Sequence, residues 1–145
     1  MQKSKLYEMQ KVILDTNIIV SALISNSYPT KILYEIVFER KVLTCLSTEI
    51  LEEYIHVLNR PKFERFPNFK NNAEVVINKI IEFSTIYKPT EKLHVVADLS
   101  DNMFLELAKV SEASFLITGN SNDFTFDQFD KTRIVSPQVF YEQFD

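Results

Sequence analysis

Val12-Ile13-Leu14-Asp15-Thr16-Asn17 is the stretch from which the rest of the chain can be read. Lys11 to Leu14 carries an apolar, β-branched run with no polar alternation, the pattern of a strand buried on both faces of a parallel sheet. The run breaks off at Asp15, and Asn17-Ile18-Ile19-Val20-Ser21-Ala22-Leu23-Ile24 reads as a helix. An acid between a buried strand and a helix stands where open α/β sheets bind their ligands, outside the carboxyl ends of the strands.

Outward from this unit the alternation repeats. Pro29 opens a helix over Thr30 to Arg40, as proline does in a first turn, and Val42 to Leu46 is a second buried strand. Ser47 reads as the N-cap of a helix to about Asn59, where Arg60-Pro61 stops it. An amphipathic helix covers about Asn71 to Phe83, followed by a weaker strand at Thr85 to Tyr87 and an apolar piece at Leu93 to Val96. Asp101 precedes a helical pattern from Met103 to about Val110, and Phe115 to Thr118 is a third strong strand closed by Gly119. Arg133 to Val135 supplies a last strand and Pro137 to Phe144 a last helix. Strands alternating with helices predict an α/β domain with a mainly parallel sheet and right-handed crossovers. No repeat, low-complexity tract or linker interrupts it, so residues 1–145 are expected to form a single domain.

Composition narrows the chemistry. A chain of 145 residues and 17.0 kDa buries roughly 70% of its unfolded surface without help from disulfides or structural metal. Its one glycine, Gly119, excludes the Walker loop, the dinucleotide fingerprint and the kinase glycine loop. One cysteine and two histidines exclude zinc fingers and CxxC redox motifs. Cys45 sits in an apolar run as a small buried hydrophobe. The first residues have positive charge but no apolar region behind them, and no segment reaches the ~18 apolar residues that span a bilayer; a cytoplasmic protein without membrane contact is expected. The net charge of −4 divides into +2 over residues 1–90 and −6 over residues 91–145.

Several acids in that pattern converge. Asp15 and the Gly119-Asn120 pair both follow strong strands, and Asp101, at a helix start, can face the same sheet edge, with Asp98 three residues earlier competing for the place. Carboxylates aimed at one small volume repel unless a cation lies between them, and oxygen ligands suit Mg²⁺ or Mn²⁺. Metal-assisted phosphodiester cleavage is the chemistry this favours, against turn-forming or capping roles for each aspartate taken alone. On the helix after Ser47, the apolar stripe is centred roughly 120° from Glu53 and about 140° or more from Glu49 and Glu52. Glu53 is the best placed of the three by a narrow margin, and from geometry alone a solvated glutamate remains the stronger reading of each. His56 and His94 read as surface or core-edge imidazoles. Arg60-Pro61-Lys62-Phe63-Glu64-Arg65-Phe66-Pro67-Asn68-Phe69-Lys70 interleaves the bases Arg60, Lys62, Arg65 and Lys70 with three phenylalanines. Phosphate contact with base stacking, a loop pinned to the core by its aromatics, and an apolar groove that receives the helix of a protein partner are all open readings.

Val12-Ile13-Leu14-Asp15-Thr16-Asn17, Ser47-Thr48-Glu49-Ile50-Leu51-Glu52-Glu53-Tyr54 with Val57 to Phe63, Asp98 to Ala108, and Phe115-Leu116-Ile117-Thr118-Gly119-Asn120 resemble, in order, the four acidic motifs of PIN-domain nucleases. The chain is most similar to the VapC-like branch, the toxins of toxin-antitoxin pairs. The resemblance implies a three-layer α/β/α fold with a sheet of about five strands. It implies a divalent-metal endoribonuclease acting on single-stranded RNA, using Mg²⁺ or Mn²⁺, with a cognate antitoxin partner and room for a homodimer. Asp15, Glu53 and Asp101 become the catalytic metal ligands, supported by Thr16, Asn17 and Thr118. At the fourth position the chain departs, offering Asn120 and then Asp123 where many relatives have an acid after the Thr-Gly pair. A PIN-like module that binds RNA or protein without turnover is the rival reading. A DNA-cutting flap nuclease fits poorly, because such enzymes need a longer chain.

Overall fold

A computed structural model describes residues 9–119 and 124–144. Six strands, β1 (Lys11–Leu14), β2 (Leu43–Leu46), β3 (Ser84–Ile86), β4 (Phe115–Ile117), β5 (Gln128–Phe129) and β6 (Thr132–Val135), form one sheet ordered β3-β2-β1-β4-β6-β5. All neighbours are parallel except β5 and β6. The mainly parallel α/β sheet is the expected one, with five parallel strands and a short antiparallel edge strand in addition. β5 has two residues, too few to leave a periodic signal.

The helices are α1 (Thr16–Ile24), α2 (Tyr28–Lys31), α3 (Thr48–Leu58), α4 (Phe69–Phe83), α5 (Leu99–Ser111) and α6 (Pro137–Gln143). Val12, Ile13 and Leu14 are buried, as a strand with neighbours on both sides and helices over both faces requires. From β1 the chain winds outward through β2 to β3, then returns through α5 to β4 on β1's other side. Right-handed crossovers place the helices before β3 on one face and α5 on the opposite face. The winding therefore reverses between β1 and β4, which opens a crevice at their carboxyl ends.

Two elements differ from the sequence-based expectation. After Pro29 the helix is α-helical only to Lys31, and Ile32–Val37 is π-helical, with Phe38 N–H donating to Leu33 O at 2.9 Å and Lys41 N–H to Ile36 O at 2.9 Å. Apolar spacing over six residues does not separate the two helix types. α5 starts at Leu99, four residues before the Met103 expected, and its N-cap is Asp98, whose carboxylate accepts from Ser100 N–H at 2.8 Å. Leu99 is the most exposed large hydrophobic described, so the first turn carries no apolar signal. Asp101 thus lies inside the first turn rather than ahead of the helix.

Ser47 caps α3 as expected, accepting from Ile50 N–H at 3.2 Å. One turn on, Tyr54 is buried at 2% exposure and its hydroxyl donates to the carbonyl of Leu14 at 2.5 Å. Burial, reinforced by the charges of Asp15 and Glu53, pushes this phenol far above its usual range and keeps it a proton donor. The bond ties the end of β1 to α3. Tyr54→Phe keeps the ring but leaves a buried carbonyl without that donor, and is expected to cost about 1–3 kcal/mol. The urea midpoint should fall accordingly with the far-ultraviolet circular dichroism spectrum unchanged; an unaltered midpoint would show that the carbonyl finds another partner.

Candidate active site

The register of β1 on β4 pairs Leu14 with Ile117. The next residue on each strand is polar, and the two meet: Thr118 Oγ1 donates to Asp15 Oδ2 at 2.5 Å. Both are buried, Thr118 completely and Asp15 to 9% exposure. A carboxylate held this deep is costly in its charged form. Burial pushes the Asp15 carboxyl above its ordinary range, the bonds from Thr118 and from the backbone of Thr16 and Asn17 pull it down, and repulsion from Glu53 adds to the rise.

Glu53 arrives from α3, which Tyr54 anchors. It is half-buried and accepts from Thr16 Oγ1 at 3.2 Å, whereas Glu49 and Glu52 are exposed. The helical geometry that favoured Glu53 by a narrow margin thus matches its placement at the cleft. The start of α5 brings two more acids, Asp98 at its N-cap and Asp101 in its first turn. Asp15, Thr16, Asn17, Glu53, Asp98 and Asp101 line one cleft of about 220 Å³, with Ser100, Val57 and Arg60 completing its walls.

The first turn of α5 is held by two side chains that the sequence did not single out. Asn102, 2% exposed, accepts from Val95 N–H and Val96 N–H at 2.9 and 3.1 Å and donates to the carbonyls of Val96 and Asp98 at 2.8 and 3.3 Å. One turn later, buried Glu106 accepts from Leu93 N–H at 2.8 Å. Residues 93–98 are therefore lashed to α5, which fixes the approach of Asp98 and Asp101 to the cleft. A polar side chain at core spacing on an apolar helix is the signal that marks Asn102 and Glu106.

The remaining sequence candidates separate. Arg60, Lys62 and Arg65 border a second groove beside the acids, while Lys70 lines a different one between α3 and α4. Phe63 and Phe69 are buried and stacked at 4.9 Å, so these two pin the loop, and Phe66 alone keeps a partly open face. His56 and His94 are exposed and line neither the acid cleft nor the groove beside it. Asn120 and Asp123 lie outside the described residues.

The donor set suits a hard divalent cation: carboxylates and hydroxyls, with no thiol or imidazole. Asp15 and Glu53 repel each other, and among the described residues no lysine or arginine pairs with either. A cation would relieve that repulsion. Among the described residues no three acidic, histidine or cysteine side chains stand close enough together to hold an ion as they are placed.

A sequence profile of the PIN domain matches residues 11–122. An uncharacterized protein of Methanocaldococcus jannaschii, MJ1680, is 30% identical over 144 residues, covering 93% of this chain and 92% of that protein. Among solved structures, a chain of VapBC2 from Rickettsia felis, crystallised with a DNA fragment from their promoter, aligns with 87% of this chain and 98% of its own length. The TM-score is 0.56 at 16% identity, a likeness of fold.

The strained Asp15 makes a prediction about stability. Because its folded-state proton is held more tightly than in the unfolded chain, raising the pH ionises the unfolded carboxyl first and destabilises the fold. The loss begins near pH 4 and levels once the folded carboxyl has also ionised. Asp15→Asn keeps an oxygen for Thr118 and is expected to raise stability at pH 7 without divalent metal by about 1 kcal/mol, or about 3 °C in Tm. The gain should shrink toward pH 4. Thermal melts in chelator across this range check it, and a variant less stable than wild type at pH 7 would contradict the assignment of burial strain to Asp15.

Proposed function

The chain belongs to the PIN-domain family, whose members are generally divalent-metal nucleases, and on that premise we propose that it is an endoribonuclease cleaving single-stranded RNA with Mg²⁺ or Mn²⁺. The observation that carries the proposal is the convergence of Asp15, Glu53 and Asp101 on one cleft from β1, α3 and α5. In this reading Asp15, Glu53 and Asp101 are the catalytic metal ligands, and Asn120 or Asp123 completes the set. A divalent cation bound there supplies Lewis acidity toward water and the phosphate oxygens.

The chain's own residues do the rest. Thr118 and Thr16 orient the carboxylates of Asp15 and Glu53 through the bonds at 2.5 and 3.2 Å. Asn17 borders both the acid cleft and the adjoining groove, where its amide can meet the substrate backbone. Arg60, Lys62 and Arg65 bind phosphates, while Lys70, inside α4, lines the separate groove between α3 and α4 and has no part in this contact. The likeness of fold to a chain of VapBC2 supports reading the protein as the toxin of a toxin-antitoxin pair, acting in the cytoplasm as a single PIN domain and neutralised by a cognate antitoxin. No helix among the described residues is long and apolar enough to cross a membrane. A homodimer is compatible with this role.

Cleavage of labelled RNA with Mn²⁺, with Mg²⁺ and with chelator tests the proposal directly. Activity should require the metal, and Asp15→Asn should abolish it while weakening Mn²⁺ binding in calorimetry. Glu53→Gln should lose at least a hundredfold in rate and Glu52→Gln less than threefold, because Glu52 points into solvent. Equal losses in the two glutamine variants would remove the role given to Glu53. RNA binding without cleavage under every metal condition would favour the non-catalytic module.

The fourth position has its own test. Asn120→Asp adds a charge to the acid set and should increase the rate at limiting Mn²⁺ if Asn120 is a weakened ligand. Loss of activity in Asp123→Asn, with no effect of Asn120→Asp, would instead make Asp123 the fourth acid.

A further inference from the structure

Beside the acid cleft lies a groove of about 300 Å³ with a different character. Its apolar walls are Val20 and Ile24 of α1 and Phe66 of the 60–66 loop, and its rim carries Arg60, Lys62 and Arg65. Among the described residues no carboxylate lines it, and none of the three cations makes an ion pair with a described acid. The loop is held in place, since Phe63 is buried and stacked on Phe69, and Phe66 lies 6.3 Å from the Phe69 ring. Arg65 sits 4.9 Å over Phe66, which joins a cation to the exposed aromatic face. Asn17, Val57 and Arg60 line both this groove and the acid cleft, so the two are continuous.

We propose that this groove is the subsite for the nucleotide flanking the scissile phosphate, taking its unpaired base between Val20, Ile24 and Phe66. The inference rests on the ribonuclease reading and deepens it. An apolar slot bounded by unpaired cations suits a ligand with a flat apolar face and a negative backbone, which a nucleotide supplies. Continuity with the acids favours RNA over a protein partner as the occupant, because a single strand can lie in both clefts at once. Arg60, at the junction, holds the phosphate between them, and Lys62 and Arg65 follow the backbone away from the acids. A base seated in the slot cannot also be paired, so the subsite is what makes the nuclease selective for single strands.

The test uses the full-length chain, a short single-stranded RNA with one preferred cut, the same RNA with an abasic site in place of the flanking base on either side, and its duplex. Phe66→Ala and Ile24→Ser are made separately, because Ile24 is exposed enough to be changed if loss of Phe66 disturbs the loop. With Mn²⁺, each variant should raise KM about tenfold, within the range for removing one base-stacking side chain, and change kcat less than twofold. One of the two abasic substrates should raise the wild-type KM to a similar degree and give no further rise in the variants. In chelator, fluorescence anisotropy should show wild type preferring the single strand to the duplex, with the preference reduced in both variants.

Unchanged KM in both variants alongside wild-type cleavage would overturn the subsite and leave the groove to a protein partner. Additive effects of variant and abasic substrate would also overturn it, placing the base elsewhere. The chelator pattern without any cleavage would support the nucleotide groove while retiring the ribonuclease reading, so the two failures are distinguishable.

Discussion

The parallel seam between β1 and β4 is the constraint from which the other features follow. Winding reverses there, so no crossover covers the carboxyl ends of these two strands. Their apolar runs end together, at Leu14 and Ile117, and the next pair, Asp15 and Thr118, is polar yet still buried, so each side chain needs a hydrogen-bond partner. Thr118 donating to Asp15 meets that demand with one hydrogen bond while leaving the carboxylate largely desolvated. Tyr54 then pins α3 to the Leu14 carbonyl one residue before Asp15, which sets where Glu53 enters. The two acids are neighbours because a strand end and a helix are bonded to each other, with no contact between the carboxylates required.

The opposite wall is built by another device. α5 cannot use a strand register to aim Asp101, and it relies on Asn102, whose amide is satisfied by backbone groups of residues 95–98. A buried amide of this kind stabilises one arrangement only, because any shift of the loop leaves several donors and acceptors unmet in a poorly solvated place. Economy in glycine fits the same picture. The described residues in left-handed backbone are Arg40, Asn68, Glu112 and Asp130, none of them glycine. Glu112 and Asn68 use that conformation to end α5 and begin α4, accepting steric strain that glycine would avoid.

These differences explain what could be read from the chain and what could not. β1, β2 and β4 were legible because strands buried on both faces must be continuously apolar, and Asp15 stood out as the first interruption of such a run. The helical stripe that buries Ile50, Tyr54 and Val57 favours Glu53 only narrowly over its neighbours, and the motif resemblance is what singles it out. The start of α5 was hidden by an exposed Leu99, and although core spacing marks Asn102 as unusual, what it holds was hidden because its partners are backbone groups, which have no sequence identity. The aromatic-basic loop was only half legible: composition offered stacking or anchoring, and the fold uses Phe63 and Phe69 to anchor while leaving a face of Phe66 open. Lys70 is close to Arg60 in sequence, yet it stands in the first turn of α4 and lines another groove.

Opposite charge in two joined clefts has a further consequence on the proposed reading. A polyanion is attracted to the groove bounded by Arg60, Lys62 and Arg65 and repelled by the acids next to it, so the cations alone hold a strand near the site without drawing its phosphate in. Neutralising the acid cleft removes the repulsion. Cation and RNA then strengthen each other's binding, and linkage makes the factor the same in both directions. Because the two charges are separated along one continuous surface, with Arg60 at the boundary, the coupling acts most strongly on the phosphate at the acids and fades along the groove as solvent and salt screen it. A chain with a net charge of −4 can therefore engage an anionic substrate through local charge arrangement, with the sign of the whole molecule of little consequence beyond a Debye length.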